Sequence, residues 1–192
     1  MSYDYHGYWE DKTGHVAPLY RNLDDQTKYL NVNFTIIHWL EQGVPSNKLI
    51  MGIPAYGQSF TLSRKLQGKG TPGLNAQASG PGHPGDFTKS AGMLAYYEIC
   101  NNVKNRDWSA IKDSKNLSGP YATRGDQWVS YEDVSSIMQK TEFIRDLNLG
   151  GAMIWSLDVD DFKNLCGCGK YPLTTALSQG LRGERNLRMD CT

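Results

Sequence analysis

The chain reads as an α/β protein built on parallel strands, and three observations carry that reading. Leu49-Ile50-Met51-Gly52-Ile53 and residues 152–157 are short, continuous apolar runs, the pattern of strands buried on both faces of a parallel sheet. Apolar residues recur at spacings of three and four over residues 24–42 and again over 134–147, as amphipathic helices require. The two patterns alternate along the chain, so right-handed crossovers lead to either a doubly wound sheet or a (β/α)8 barrel.

Taken in order, residues 1–5 read as the end of a strand that drops into a polar, aromatic loop, residues 6–20. The first helix carries Tyr29, Val32, Ile36, Trp39 and Leu40 on its apolar stripe, and Gly43 with Pro45 stops it. The strand at 49–53 follows. Residues 66–86 are rich in Gly and Pro without apolar periodicity and read as a long surface loop. Around it, residues 59–62 alternate like a strand and 92–103 look helical. Residues 121–123 and 128–130 flank a turn at Arg124-Gly125-Asp126. Together they predict a small α+β insertion. The last helix, with Ser130 as a possible cap, ends at Gly150-Gly151 before the strand at 152–157. Residues 181–192 are charged and aperiodic and read as a tail or linker.

Composition excludes several function classes. Of 192 residues, 20 are Lys or Arg and 20 Asp or Glu, so no net charge draws the chain to nucleic acid or an anionic membrane surface. No apolar run approaches the roughly 20 residues of a membrane span. There is no G-x-G-x-x-G after a strand, no Walker sequence and no G-x-S-x-G elbow. The four histidines, His6, His15, His38 and His83, show no metal-ligand spacing and read as structural or solvated. Cys100, Cys166, Cys168 and Cys191 lack the second knuckle of a zinc site, so disulfides are the better reading. With the sequons Asn33-Phe34-Thr35 and Asn116-Leu117-Ser118, they point to an exported protein. The first residues carry no signal peptide, so an export signal is expected upstream.

In parallel α/β folds the ligand meets the carboxyl ends of the strands. Each strand here delivers a ring and a polar group there: Tyr3, Asp4 and Trp9 after the first, Tyr56 and Gln58 after the second, Trp155 and Asp158 at the third. Aromatic faces stack on the C–H faces of sugars while carboxylates and amides take the polar hydrogens, so the set predicts a sugar cleft. Asp160 and Asp161 are better read as caps of the following helix.

Four segments, Met1-Ser2-Tyr3-Asp4-Tyr5-His6-Gly7, Gly52-Ile53-Pro54-Ala55-Tyr56-Gly57-Gln58-Ser59-Phe60, Gly92-Met93-Leu94-Ala95-Tyr96-Tyr97-Glu98 and Gly151-Ala152-Met153-Ile154-Trp155-Ser156-Leu157-Asp158, resemble the animal secreted chitinases of glycoside hydrolase family 18. The resemblance runs to about residue 181. It implies a TIM barrel of which this chain holds strands six, seven and eight. Residues 1–56 would form strands six and seven, 57–130 the insertion domain, 131–181 the last helices and strand eight, and 182–192 a tail.

The resemblance also implies roles. Tyr3 and Asp4 would orient the substrate acetamido group, Met1 would line the floor and Trp155 would lie under the distorted sugar. Tyr56, Met93 and Met153 would line the cleft, and Trp9 would stack on the leaving-group side. Cleavage of chitin or chito-oligosaccharide would be retaining and substrate-assisted, without cofactor or metal. The whole protein would be extracellular and monomeric, with neither nucleic acid nor membrane as partner.

The acid Glu of a D-x-x-D-x-D-x-E motif is not in this chain, so the chain alone is expected to be an inactive fragment. A lectin without hydrolysis is the alternative. Gln58 stands where the family usually has Arg, and Ser90 where some members have Glu. Cys100 and Cys166 match a family disulfide, which leaves Cys168 and Cys191 to pair together or elsewhere.

Overall fold

The computed structural model describes residues 1–22, 27–65, 73–113 and 117–184. A first helix, α1 (Val32–Glu41), leads to β1 (Ile50–Pro54), which pairs in parallel with β8 (Gly151–Trp155) in the register Gly52 to Met153 and Pro54 to Trp155. Between them the chain builds a second, antiparallel sheet from β2 (Tyr56–Leu62), β3 (Ala78–Pro81), β4 (Met93–Ala95), β5 (Ser109–Ile111), β6 (Tyr121–Arg124) and β7 (Gln127–Ser130). Its order is β3-β2-β7-β6-β5, with β4 also on β2. Helix α2 (Tyr96–Asn105) follows β4, α3 (Val134–Asp146) precedes β8, and α4 (Pro172–Leu181) packs on α3.

One residue, Ala55, separates β1 from β2. Its N–H donates to the Trp155 carbonyl at 2.7 Å and its carbonyl accepts from Tyr96 N–H at 3.3 Å, so both sheets meet there. The main core runs from Val16 and Ile36 through Met51, Ile53 and Ile99 to Ile137 and Leu173. A smaller one, Phe60, Leu62, Tyr121 and Trp128, lies in the antiparallel sheet. Cys100 and Cys166 form a disulfide, Cα to Cα 5.7 Å, that ties α2 to the segment after β8. Cys191 and Asn116 lie outside the described residues.

Several expectations need correction. Residues 1–5 form no named strand. They run extended against β1 until Asp4, whose φ of 57° turns the backbone out of line, a conformation Asp tolerates better than most residues. Within 24–42 the helix starts only at Val32, where the Asn31 side chain accepts from Phe34 N–H at 2.8 Å and sets the first turn. Tyr29 therefore precedes the helix and, like Trp39, is exposed; residues 24–26 lie outside the described set.

Part of the stretch read as loop is β3. Its Gly80 and Pro81 are tolerated because it is an edge strand, paired to β2 through an irregular register. Residues 93–95 of the segment read as helical are β4, since they pair with Gln58, Gly57 and Tyr56 before Glu98 caps α2 through Ala95 N–H. Asp133, not Ser130, caps α3, because Ser130 is still paired in β7. The strand read as fully buried at 152–157 ends at Trp155, and Trp155 and Leu157 are more than half exposed; the face that carries them is uncovered among the described residues.

Candidate functional site

Asp4 is the centre of the site. Its exposed carboxylate is fixed at one oxygen only: Oδ1 accepts from the Tyr56 hydroxyl and from Gln58 Nε2, both at 2.8 Å. Oδ2 has no bond to the described residues. Tyr56 and Gln58 are nearly buried, at 6% and 5% exposure. Strand alternation turns both toward Asp4, while Gly57 between them lies against Ser130 and Val129. Burial first, then the bond to Asp4, hold the Tyr56 hydroxyl far above its ordinary pKa, so it stays a donor. The Tyr3 hydroxyl is also raised, by desolvation and by the Asp4 charge. Its ring meets Tyr56 edge-on at 6.2 Å.

Gly52 sets the floor. A Cβ there would lie 2.9 Å from the Tyr3 ring and 3.0 Å from Met1 Cα, so only glycine lets the first residues lie on β1. Cα partners in a parallel pair share a face, which puts Met153 beside Gly52 and Trp155 beside Pro54 on that same side. Met1, at 91% exposure, and Trp155, at 57%, are open to solvent. Met51 and Ile53, on the opposite face of β1, are fully buried.

The antiparallel sheet adds a wall. Met93 is the Cα partner of Gln58, and the Tyr8 ring packs on Gly92 just before it. Tyr8 in turn meets Trp9 edge-on at 5.5 Å. Trp9 thus belongs to the site through Tyr8 and the β4 end rather than through Asp4.

The structure therefore brings together Tyr3, Asp4, Tyr56 and Gln58 by contact, Met1 by its approach to Gly52, and Met93, Met153 and Trp155 by register. Two contributors escaped the sequence reading. Gly52 signals itself only as a glycine inside an apolar run, and Tyr8 only as one more ring beside Trp9. Gln58 Oε1 is buried without a protein partner, an acceptor left open under the site. Ser90 is exposed.

Asp158 is exposed and accepts from the Ser156 hydroxyl, whereas the two carboxylates that follow it are structural. Asp160 and Asp161 are fully buried. Asp160 Oδ2 accepts from Thr174 N–H at 2.9 Å and from its hydroxyl at 2.8 Å, capping α4, and Asp161 accepts from Leu165 and Cys166 N–H. The metal-like grouping among the described residues, Cys100, Cys166 and Asp161, has its two sulfurs spent in the disulfide. A cavity of about 400 Å³ lies between Glu98, Trp108 and Arg124; none of the sequence-assigned sugar-site residues lines it, although their strand neighbours Ser59 and Leu94 do. Among the described residues no helix is long and apolar enough to cross a membrane.

Comparison with known proteins identifies the family. The family model "Glycosyl hydrolases family 18" matches residues 1–160. A probable chitinase 10 of Drosophila melanogaster is 51% identical over 183 residues, 95% of this chain and 8% of that protein. The solved catalytic domain 2 of the Ostrinia furnacalis Group II chitinase superposes with a TM-score of 0.90 at 47% identity, over 96% of this chain and 48% of that one. Human YKL-39, a pseudo-chitinase with retained chitooligosaccharide binding, superposes at 0.86 with 44% identity, over 95% of this chain and 49% of that one. The chain thus spans about half the length of these solved relatives, and by the family match over residues 1–160 and its identity to these relatives it belongs to glycosyl hydrolase family 18.

Proposed function

We propose that this chain supplies the sugar-distorting half of a chitinase catalytic domain, cleaving β-1,4-linked N-acetylglucosamine chains with retention by a substrate-assisted route. The observation that carries the reading is Asp4, held at Oδ1 by Tyr56 and Gln58 with Oδ2 free. In the reaction the free oxygen takes the acetamido N–H and turns the acetamido carbonyl oxygen toward the anomeric carbon. That oxygen attacks, the leaving oxygen is protonated, and the oxazolinium ion formed is stabilised by the carboxylate beside it. Trp155 lies under the distorted sugar, Met1 and Met153 line the floor, Tyr3 assists Asp4, Met93 lines the wall and Trp9 stacks on the leaving-group side. The acid Glu is supplied by sequence outside this chain, so the chain alone does not cleave.

In this reading residues 1–56 hold barrel strands six and seven, 57–130 the insertion domain, 131–181 strand eight and its helices, and 182–192 a tail. The parallel β1–β8 pair and the antiparallel sheet between them in chain order support it. The full protein is extracellular, monomeric and without cofactor, nucleic acid or membrane partner. Asp4→Ala in the full-length protein lowers kcat on a chito-oligosaccharide by on the order of 100-fold or more, while the dissociation constant moves only a few-fold. An unchanged kcat refutes the role.

A second reading, a lectin, is favoured by the pseudo-chitinase relative and by Gln58. Binding without turnover in the full-length wild-type protein selects it.

A further inference from the structure

We propose that Asn33 is an N-glycan acceptor. The sequon Asn33-Phe34-Thr35 opens α1. Its backbone is engaged, because Asn33 N–H donates to the Leu19 carbonyl at 2.9 Å. Its carboxamide is partly exposed and bonded to no described residue. The neighbouring Asn31 differs: it is buried, accepts from Phe34 N–H and donates to the Lys28 carbonyl. The helix thus uses one asparagine for capping and leaves the sequon asparagine partly exposed, with no side-chain bond to a described residue.

Thr35 fixes the timing. In the folded chain its hydroxyl donates to the Asn31 carbonyl at 3.1 Å and accepts from the Tyr5 hydroxyl at 2.7 Å, so it is not free to assist a transferase. Transfer therefore precedes the folding of α1. Asn33 Nδ2 forms a C–N bond to the anomeric carbon of the first sugar of a lipid-linked oligosaccharyl diphosphate. The anomeric C–O bond breaks, the lipid diphosphate leaves with the electron pair, and Nδ2 releases one proton. The folded state accommodates the product at the flank of α1, beside the stripe that Val32 and Ile36 bury, where Asn33 keeps part of its surface exposed. It also gives the sugars a surface to cover: Tyr29 and Phe34, 51% and 40% exposed, lie ring to ring at 5.7 Å beside the acceptor.

The inference rests on the reading that the protein is exported, and the test separates the two. The full-length protein is expressed in insect cells behind its natural start and, in parallel, behind a host secretion leader. The product is treated with peptide N-glycosidase in heavy-oxygen water and mapped by mass spectrometry. The expected result is heavy-oxygen aspartate at position 33 in most molecules of the leader-driven protein. Asn33→Gln abolishes it, and Thr35→Ser, which keeps the sequon, retains it. Leader-driven protein whose position-33 peptide is mostly unmodified overturns the proposal. Failure of the natural start to deliver protein to the medium, with the leader-driven form modified, overturns export alone.

Discussion

At the residue scale, the site is one carboxylate and the two groups that aim it. Removing the Tyr56 hydroxyl leaves Asp4 with Gln58 as its remaining donor, at a cost of about 1–3 kcal/mol if the lost bond matters most in the transition state. Tyr56→Phe in the full-length protein is therefore expected to lower kcat by roughly 10- to 100-fold with KM within about threefold; a change confined to KM refutes an orienting role. Asp4, Tyr56 and Gln58 were legible in the sequence because polar groups just past apolar runs stand out. The contacts that immobilise the loop around Trp9 were not. Lys140 donates to the Ala17 carbonyl at 2.6 Å and pairs with buried Glu132, a link across 123 positions that no local pattern announces. Burial lowers the Lys140 pKa and raises that of Glu132, and each is held toward its charged form by the other.

At the scale of elements, periodicity found β1, β8, α1 and α3 but misplaced ends set by side-chain caps. Asn31 and Asp133 begin their helices, and both lie where several polar residues could have served. Helix α4 was better marked: Pro172 at its start is a local signal, and Asp160, read from the sequence as a cap of the following helix, lies on the loop after β8 and accepts from Asp161, Leu173 and Thr174. Because Asp160 itself is fully buried, Asp160→Ala costs more than an ordinary cap, about 2–4 kcal/mol. Asp160→Asn, which keeps an acceptor, costs less than half as much. Urea unfolding of the full-length protein reads both, and equal losses for the two variants rule out capping as the cause.

At the scale of the molecule, a buried polar network joins the loop around Trp9 to the rest. His15 Nε2 lies 3.2 Å from the Pro120 carbonyl and 3.0 Å from that of Tyr131, while Nδ1 accepts from Ala17 N–H. Desolvation, with Lys140 nearby, lowers its pKa to about 3, against about 6.5 in the unfolded chain. The unfolded state therefore binds the extra proton. The stability this site confers is complete above pH 6.5 and is lost as pH falls toward 3, on the order of 1.4 kcal/mol for each unit. Thermal melts of the full-length protein between pH 7 and 4 should show this slope, and His15→Gln should flatten it; an unchanged slope assigns the acid sensitivity elsewhere. The α/β class was readable because alternation of strand and helix is a one-dimensional signal, whereas the crossing of two sheets at Ala55 is not. That crossing has an engineering consequence. With its amide on one sheet and its carbonyl on the first turn of α2, Ala55 acts as a weld rather than a hinge. The chain can be cut or lengthened at the exposed Gly125 turn without disturbing either sheet, but a linker inserted at position 55 would uncouple the carboxylate's two anchors from the floor they stand on.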